Sequence, residues 1–235
     1  MVHGGYLQDW LSEPNDYNWR VEASGDGGSQ AIADIGTHWF NVAEYVAGTR
    51  VVAVVADLRT FVPTRLRPRE QVGTYQRGVG VHDEVAITAE DSALILLRFA
   101  DGSIGSCVIS QISPGRKNKL TLEVAGSRST LAWDHEISPG SLWIGSREES
   151  RLVSGLAAPP RDIGADPLPV GLPEGWGEAL RDLFIPFYAA IAQGSPVSLE
   201  EAPYPSFLDG LRAASFVEAA LESGRSGRWV ALPDA

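Results

Sequence analysis

Ser92-Ala93-Leu94-Ile95-Leu96-Leu97-Arg98-Phe99-Ala100 and Ser103-Ile104-Gly105-Ser106-Cys107-Val108-Ile109-Ser110-Gln111-Ile112 are two runs rich in β-formers, separated only by Asp101-Gly102. An Asp-Gly pair accepts the positive φ angles of a tight hairpin turn. Two strands this close must be antiparallel, because a parallel return needs a crossover of a dozen or more residues. Similar runs flank the pair at Arg50–Val62, Glu84–Glu90, Lys119–Ala125 and Ser129–Trp133, and each is read as a strand. Pro63–His82, bearing arginine and glycine, is read as loop. The chain opens on Val2-His3-Gly4-Gly5-Tyr6-Leu7-Gln8-Asp9-Trp10-Leu11, the tail of a strand running into a loop, and so reads as cut from something longer.

Helical periodicity brackets this block of strands. From Ser29 to Val46 the residues Ile32, Ile35, Trp39, Val42 and Val46 recur at spacings of three and four, and Gly48 supplies a stop. Burying five such side chains contributes about 1.5–3 kcal/mol each. Ordering the backbone costs about 1–2 kcal/mol per residue, so the helix needs a sheet to pack on. Trp176–Gln193 and Ser206–Ser223 are the other two predicted helices, the last with Phe207, Leu211, Ala214, Val217 and Leu221 on one side. Strands flanked by helices define an α+β layer arrangement. With no internal repeat and no low-complexity tract, residues 1–235 are read as one domain.

Composition narrows the function. The 235 residues are 44% apolar and 21% charged, a soluble globular balance. Apolar runs such as Ala93–Leu97 are far too short to cross a bilayer, and no leader segment is evident, so a cytoplasmic address is expected. A formal charge of −11 argues against nucleic acid or an anionic membrane as partner. Arg59, Arg65, Arg67 and Arg69, and Arg116, Lys117 and Lys119, form local basic patches without interleaved aromatics and are read as solvated loop charges. Cys107 stands alone, excluding an intrachain disulfide and a cysteine metal cluster.

The first helix carries a second stripe, Asp34, His38, Asn41 and Tyr45, about 120° round from the apolar one. An imidazole exchanges protons near neutrality, and a carboxylate one turn earlier can hold its tautomer or raise its basicity, as a general base needs. An ordinary polar pair on a solvated face has the same spacing. So has a pair of metal ligands, although two ligands on one helix are not a site. Gly25-Asp26-Gly27-Gly28 would let a ligand approach the backbone where the helix begins, and flexibility alone explains these glycines equally well. No Gly-x-Gly-x-x-Gly, phosphate-binding loop or Gly-x-Ser-x-Gly elbow is present.

Gly27-Gly28-Ser29-Gln30-Ala31-Ile32-Ala33-Asp34-Ile35-Gly36-Thr37-His38 resembles the active-site helix of the Gfo/Idh/MocA oxidoreductases, the glucose–fructose oxidoreductase and inositol dehydrogenase family. Tyr6–Leu11 with Asn18-Trp19-Arg20, Glu123–Trp133, Pro173-Glu174-Gly175-Trp176 and Pro205–Gly210 are similar to further stretches of that family, in order. The resemblance implies its C-terminal domain, an open, mainly antiparallel sheet of the dihydrodipicolinate reductase-like kind with helices on one face. The other face would pair in a homo-oligomer.

It also implies oxidation of a secondary hydroxyl of a sugar or polyol by NAD or NADP. His38 would be the general base and Asp34 its partner. Tyr6, Gln8, Asp9, Trp19 and Asn41 become candidates for substrate contact, and Arg20, Gly27 and Gly28 for cofactor contact; Trp10 is read as packing. The family commonly has an acid where Asn41 stands here. A Rossmann domain is not found in these residues, so the isolated chain is expected to be inactive, its rival reading being a non-catalytic sugar-binding or assembly module.

Overall fold

The computed structural model describes residues 1–22, 28–70, 80–154, 175–194, 198 and 202–233. Its organising element is the predicted hairpin: β5 (Ser92–Phe99) and β6 (Ile104–Ser110) pair antiparallel, and Gly102 in the turn has φ +84°. Alternation sends Ala93, Ile95, Leu97 and Phe99 into the core and leaves Leu94 and Leu96 exposed on the reverse face. On the far side of β5 lies β2 (Val51–Arg59), antiparallel, and then the short β11 (Val230–Ala231).

Beyond β6 the sheet departs from a simple meander. β1 (Val2–Leu7), expected as the stub of a strand, is a complete central strand, parallel to β6 and antiparallel to β7 (Lys119–Ala125). Its two glycines disguise it, but they are what the packing demands. A Cβ on Gly4 would lie 2.0 Å from the Thr121 carbonyl oxygen and 2.9 Å from Trp39 Nε1, which itself donates to that carbonyl at 2.9 Å. β8 (Thr130–Asp134), β9 (Ser141–Gly145) and β10 (Ser150–Ser154) complete a nine-stranded sheet in the order β10-β9-β8-β7-β1-β6-β5-β2-β11.

Part of the stretch read as loop is sheet. β3 (Thr64–Pro68) pairs antiparallel with β4 (His82–Ala86) in a separate two-stranded ribbon, so β4 begins and ends earlier than the strand predicted over Glu84–Glu90. The ribbon's inward residue is Arg65, fully buried. The sequence reading that made Arg65 a solvated loop charge is therefore wrong. Its guanidinium donates to the carbonyls of Leu11, Glu13 and Asp16, which explains how a cation can be buried here.

Helices cover one face of the large sheet. A π-helical turn over Ile32–Gly36 runs straight into α1 (Thr37–Ala47), ended by Gly48 at φ +66°. Ile32, Ile35, Trp39, Phe40 and Ala43 are buried, while Val46 at the end of the predicted apolar face is exposed. α3 (Phe207–Ser226) packs beside α1, with Phe216 stacked on Phe40 at 4.5 Å. Its buried seam is Ala213, Phe216, Val217, Ala220 and Leu221, a rotation from the predicted one that leaves Phe207 and Leu211 exposed. Arg212 and Glu44 pair at 2.6 Å, and both also bond Val51, tying α3, α1 and β2 together. α2 (Trp176–Gln193) presents Leu180, Phe184, Tyr188 and Ile191 to solvent. No described helix is long and apolar enough to cross a membrane.

Candidate active site

The helix N-terminus and the C-terminal ends of β1 and β6 meet at one end of the sheet. A cavity of about 730 Å³ opens there, lined by Tyr6, Gln8, Asp9, Asp34 and His38 among the predicted residues. Trp10, Ser12, Glu13, Asp16 and Tyr17 from the following loop line it too, as do Pro114, Lys117 and Asn118 from the β6–β7 connection. Trp10, expected to pack, does both: it touches the small core around Leu11 and Val21 and donates through Nε1 to Gln8 Oε1 at 2.8 Å.

The placement of Asp34 and His38 depends on the π turn, where Thr37 N–H bonds back to the Ile32 carbonyl five residues earlier. Asp34 sits in the widened turn and His38 in the α-helix just after it, so both face the cavity while Asn41 and Tyr45 on the same stripe do not. Gly36 keeps the turn low on the sheet, where a Cβ would meet Ile32 at 3.1 Å and Ile109 at 3.6 Å. The turn is capped by a residue from the strand layer: Glu90 accepts from Ser29 Oγ and from the N–H groups of Gln30 and Ile32. Burial raises the Glu90 carboxyl above its usual range, against the hydrogen bonds from Ser29 and the helix start.

Asp34 is held from two sides. Arg20 Nε lies 3.3 Å from Oδ1, and Gln111 Nε2 donates to Oδ2 at 2.7 Å. Among the described residues Asp34 makes no hydrogen bond to His38, whose ring is exposed and meets the Tyr6 ring edge-on at 6.2 Å. Across the cavity, Asn118 Oδ1 accepts from Tyr6 Oη and from Gln8 Nε2. Lys117, read from sequence as a solvated charge, lies at the rim with Nζ 2.6 Å from Asp9 Oδ2. Burial works to raise the Asp9 carboxyl, but the hydrogen bonds from Lys117 and Gly115 outweigh it and hold it below the usual carboxylate range. Tyr17 is pushed up to about 12 by burial and by Glu22, so it stays a neutral phenol.

Other predicted residues lie around the cavity and not in its lining. Trp19 is exposed, with the Arg20 guanidinium 4.8 Å from its ring centroid. Asn41 faces a shallower groove against α3, shared with Ala33, Thr37, His38 and Gly210, and its amide donates to the Thr37 carbonyl. Gly28 precedes Ser29 in irregular backbone, and Gly27 lies outside the described residues. Among the described residues no group of three or more His, Cys, Asp or Glu could hold a metal. Sequence reading missed Asn118, Gln111 and Glu90; a polar residue at the end of an apolar strand is the one signal they offer.

An open, mostly antiparallel sheet with an Asp/His helix at its ligand-sized cavity is the architecture of an oxidoreductase's C-terminal domain, and residues 1–132 match the GFO/IDH/MocA C-terminal domain family. The chain belongs to that family. It is 33% identical over 240 residues to levoglucosan dehydrogenase of Pseudarthrobacter phenanthrenivorans, covering 98% of this chain and 58% of that protein. A solved structure of levoglucosan dehydrogenase in complex with NADH and levoglucosan superposes with TM-score 0.79 at 30% identity, covering 100% of this chain and 59% of that one. An oxidoreductase domain protein from Kribbella flavida superposes with TM-score 0.81 at 28% identity, covering 99% and 59%. The chain thus spans under two thirds of the length of the relatives it matches.

Proposed function

We propose that this chain is the substrate-side domain of an NAD- or NADP-dependent oxidoreductase acting on a secondary hydroxyl of a sugar or polyol, with His38 as general base. The observation that carries the reading is the convergence of Asp34, His38, Tyr6, Gln8 and Asp9 on one cavity. A polyol needs many directed hydrogen-bonding groups and no large apolar pocket, which is how Gln8, Asn118, Asp9 and Lys117 line this one. His38 is exposed and lines both the cavity and the adjoining groove, so it can meet a hydroxyl held in the cavity. NAD or NADP would supply the hydride acceptor, held mainly by a Rossmann domain outside these residues, with Arg20, Gly27 and Gly28 as this chain's own contacts.

In the proposed reaction the carbinol hydrogen leaves as hydride and the hydroxyl proton passes to His38 Nε2 or Nδ1, leaving a ketone. Asp34, one turn away and fixed by Arg20 and Gln111, steadies the positive charge that develops on the imidazole through space. Support comes from levoglucosan dehydrogenase, which is solved in complex with NADH and with levoglucosan or L-sorbose. The exposed apolar strip Leu94, Leu96, Ile104 and Val108 on the reverse face supports pairing of two copies through the sheet.

The test is calorimetric titration of NAD and NADP into this chain and into a polypeptide extended by upstream coding sequence. Binding to the longer polypeptide alone, with polyol oxidation lost in His38→Ala, bears the reading out. No binding to either leaves a sugar-binding or assembly module as the better account.

A further inference from the structure

We infer that Gln111 is a positioning residue of this site, holding the Asp34 carboxylate in one orientation through its buried side-chain amide. The inference rests on the proposed role of the Asp34–His38 helix. Gln111 is fully buried just past the end of β6. Its backbone is fixed from both sides, N–H to the Asp91 carbonyl at 3.0 Å and carbonyl to the Leu11 N–H at 3.2 Å. The side chain therefore starts from a point common to the sheet and to the cavity loop.

The two side-chain amides, Gln30 and Gln111, donate in one direction. Glu90 accepts from Gln30 N–H at 3.0 Å, Gln30 Nε2 donates to Gln111 Oε1 at 3.2 Å, and Gln111 Nε2 donates to Asp34 Oδ2 at 2.7 Å. An ionised carboxylate only accepts, so Gln111 must show Asp34 its NH₂ and turn its oxygen to Gln30. Gln30 must then spend its own NH₂ on Gln111, and its Oε1 is left buried without a partner. Turning the Gln30 amide over would set two oxygens against each other. The unmet acceptor is a cost borne at the far end of the network so that both side-chain amides point their donors toward Asp34. With Oδ1 facing Arg20, both carboxylate oxygens are committed and the group cannot rotate. The charged and titratable groups around Asp34 are Arg20, His38 and Glu90, with Asp9, Glu13, Asp16 and Lys117 across the cavity.

Carboxyl-carbon NMR of Asp34 in the 235-residue chain tests this without any cofactor. In Gln111→Met the Asp34 carboxyl-carbon resonance at neutral pH moves away from its parent position, since a hydrogen bond to the carboxylate is lost. In Gln111→Glu it moves further, because the amide donor is replaced by a second carboxylate. Gln30→Met, which frees the Gln111 amide without removing it, moves it in the same direction by less and serves if the Gln111 variants fail to fold. In the enzyme, Gln111→Met lowers kcat about tenfold with KM within about twofold. Folded variants whose Asp34 resonance keeps the parent position overturn the inference. A displaced resonance with polyol oxidation unaffected by His38→Ala overturns the proposed function and leaves the hold of Gln111 on Asp34 standing.

Discussion

Arg65 Nη2 donates to the Leu11 carbonyl at 2.9 Å, and through this contact the charged ribbon β3–β4 is fastened to the loop that lines the cavity. The same guanidinium reaches the Glu13 and Asp16 carbonyls through Nη1, so one side chain sets the curvature of Leu11–Asp16. Removing it takes a donor from each of three carbonyls, of which that of Glu13 keeps the Asp16 N–H. Arg65→Met is expected to lower unfolding stability by about 3–5 kcal/mol, the cost of breaking a buried charged contact from one side. Urea denaturation of the two chains measures it, and a loss below about 1 kcal/mol would mean that the loop holds its shape without the cation.

Glu90 predicts a pH dependence of definite sign. Its native carboxyl is raised by burial, so the folded state favours the protonated form. The stability it confers is fully present below the unfolded value of about 4.3 and is lost as pH rises through the native value. Glu90→Gln keeps an oxygen for Ser29, Gln30 and Ile32 but cannot ionise. The melting temperature of this variant relative to the parent should therefore rise between pH 4 and pH 7. Glu90→Ala strands the same donors and should destabilise at both pH values, by about 1–3 kcal/mol for each buried group left unsatisfied.

Asp9 behaves oppositely. Its native carboxyl lies below the usual range, so its contribution is present above about pH 3.9 and is lost as pH falls through the native value. Lys117 is 79% exposed, and solvent screening limits the pair to about 0.2–1 kcal/mol. Lys117→Met should lower the urea midpoint slightly at pH 7 and have no effect near pH 2. It should also loosen the cavity rim and, if the proposed polyol oxidation is right, raise KM with little change in kcat.

What could be read in advance follows from the range of the interaction. The β5–β6 hairpin was legible because its alternation and its Asp-Gly turn are local, and the Asp34/His38 pair because helical spacing is local too. β3 was not, since Thr64-Arg65-Leu66-Arg67-Pro68 has charge where a strand usually shows apolar alternation, and only the carbonyls of a loop some fifty residues earlier explain Arg65. β9 and β10 were missed as short strands at one end of the sheet with little buried surface. The seam of α3 was misjudged by giving weight to Phe207 and Leu211, when small residues such as Ala213 and Ala220 allow its close approach to α1 and the sheet. Gln111, Glu90, Lys117 and Asn118 reach the site from strand ends and connections far from the helix in sequence, and no spacing rule joins them to it.

The reverse face of the sheet gives the last prediction. Leu94 pairs with Val108 across β5–β6, and Leu96 and Ile104 extend the strip, with Leu94 59% and Leu96 53% exposed. These side chains stand on central strands, where alternation in a sheet with one solvated face would place polar residues. Trp143, Leu152 and Trp229 lie toward the sheet's two edges, and Arg98 packs its guanidinium 4.0 Å from the Trp229 ring centroid. If two copies meet here, Leu96→Lys buries an unpaired charge in the contact and should convert the assembly to monomer without loss of secondary structure. Light scattering coupled to size exclusion reads the outcome directly. A parent chain that is already monomeric at high concentration would instead assign this face to some other covering element.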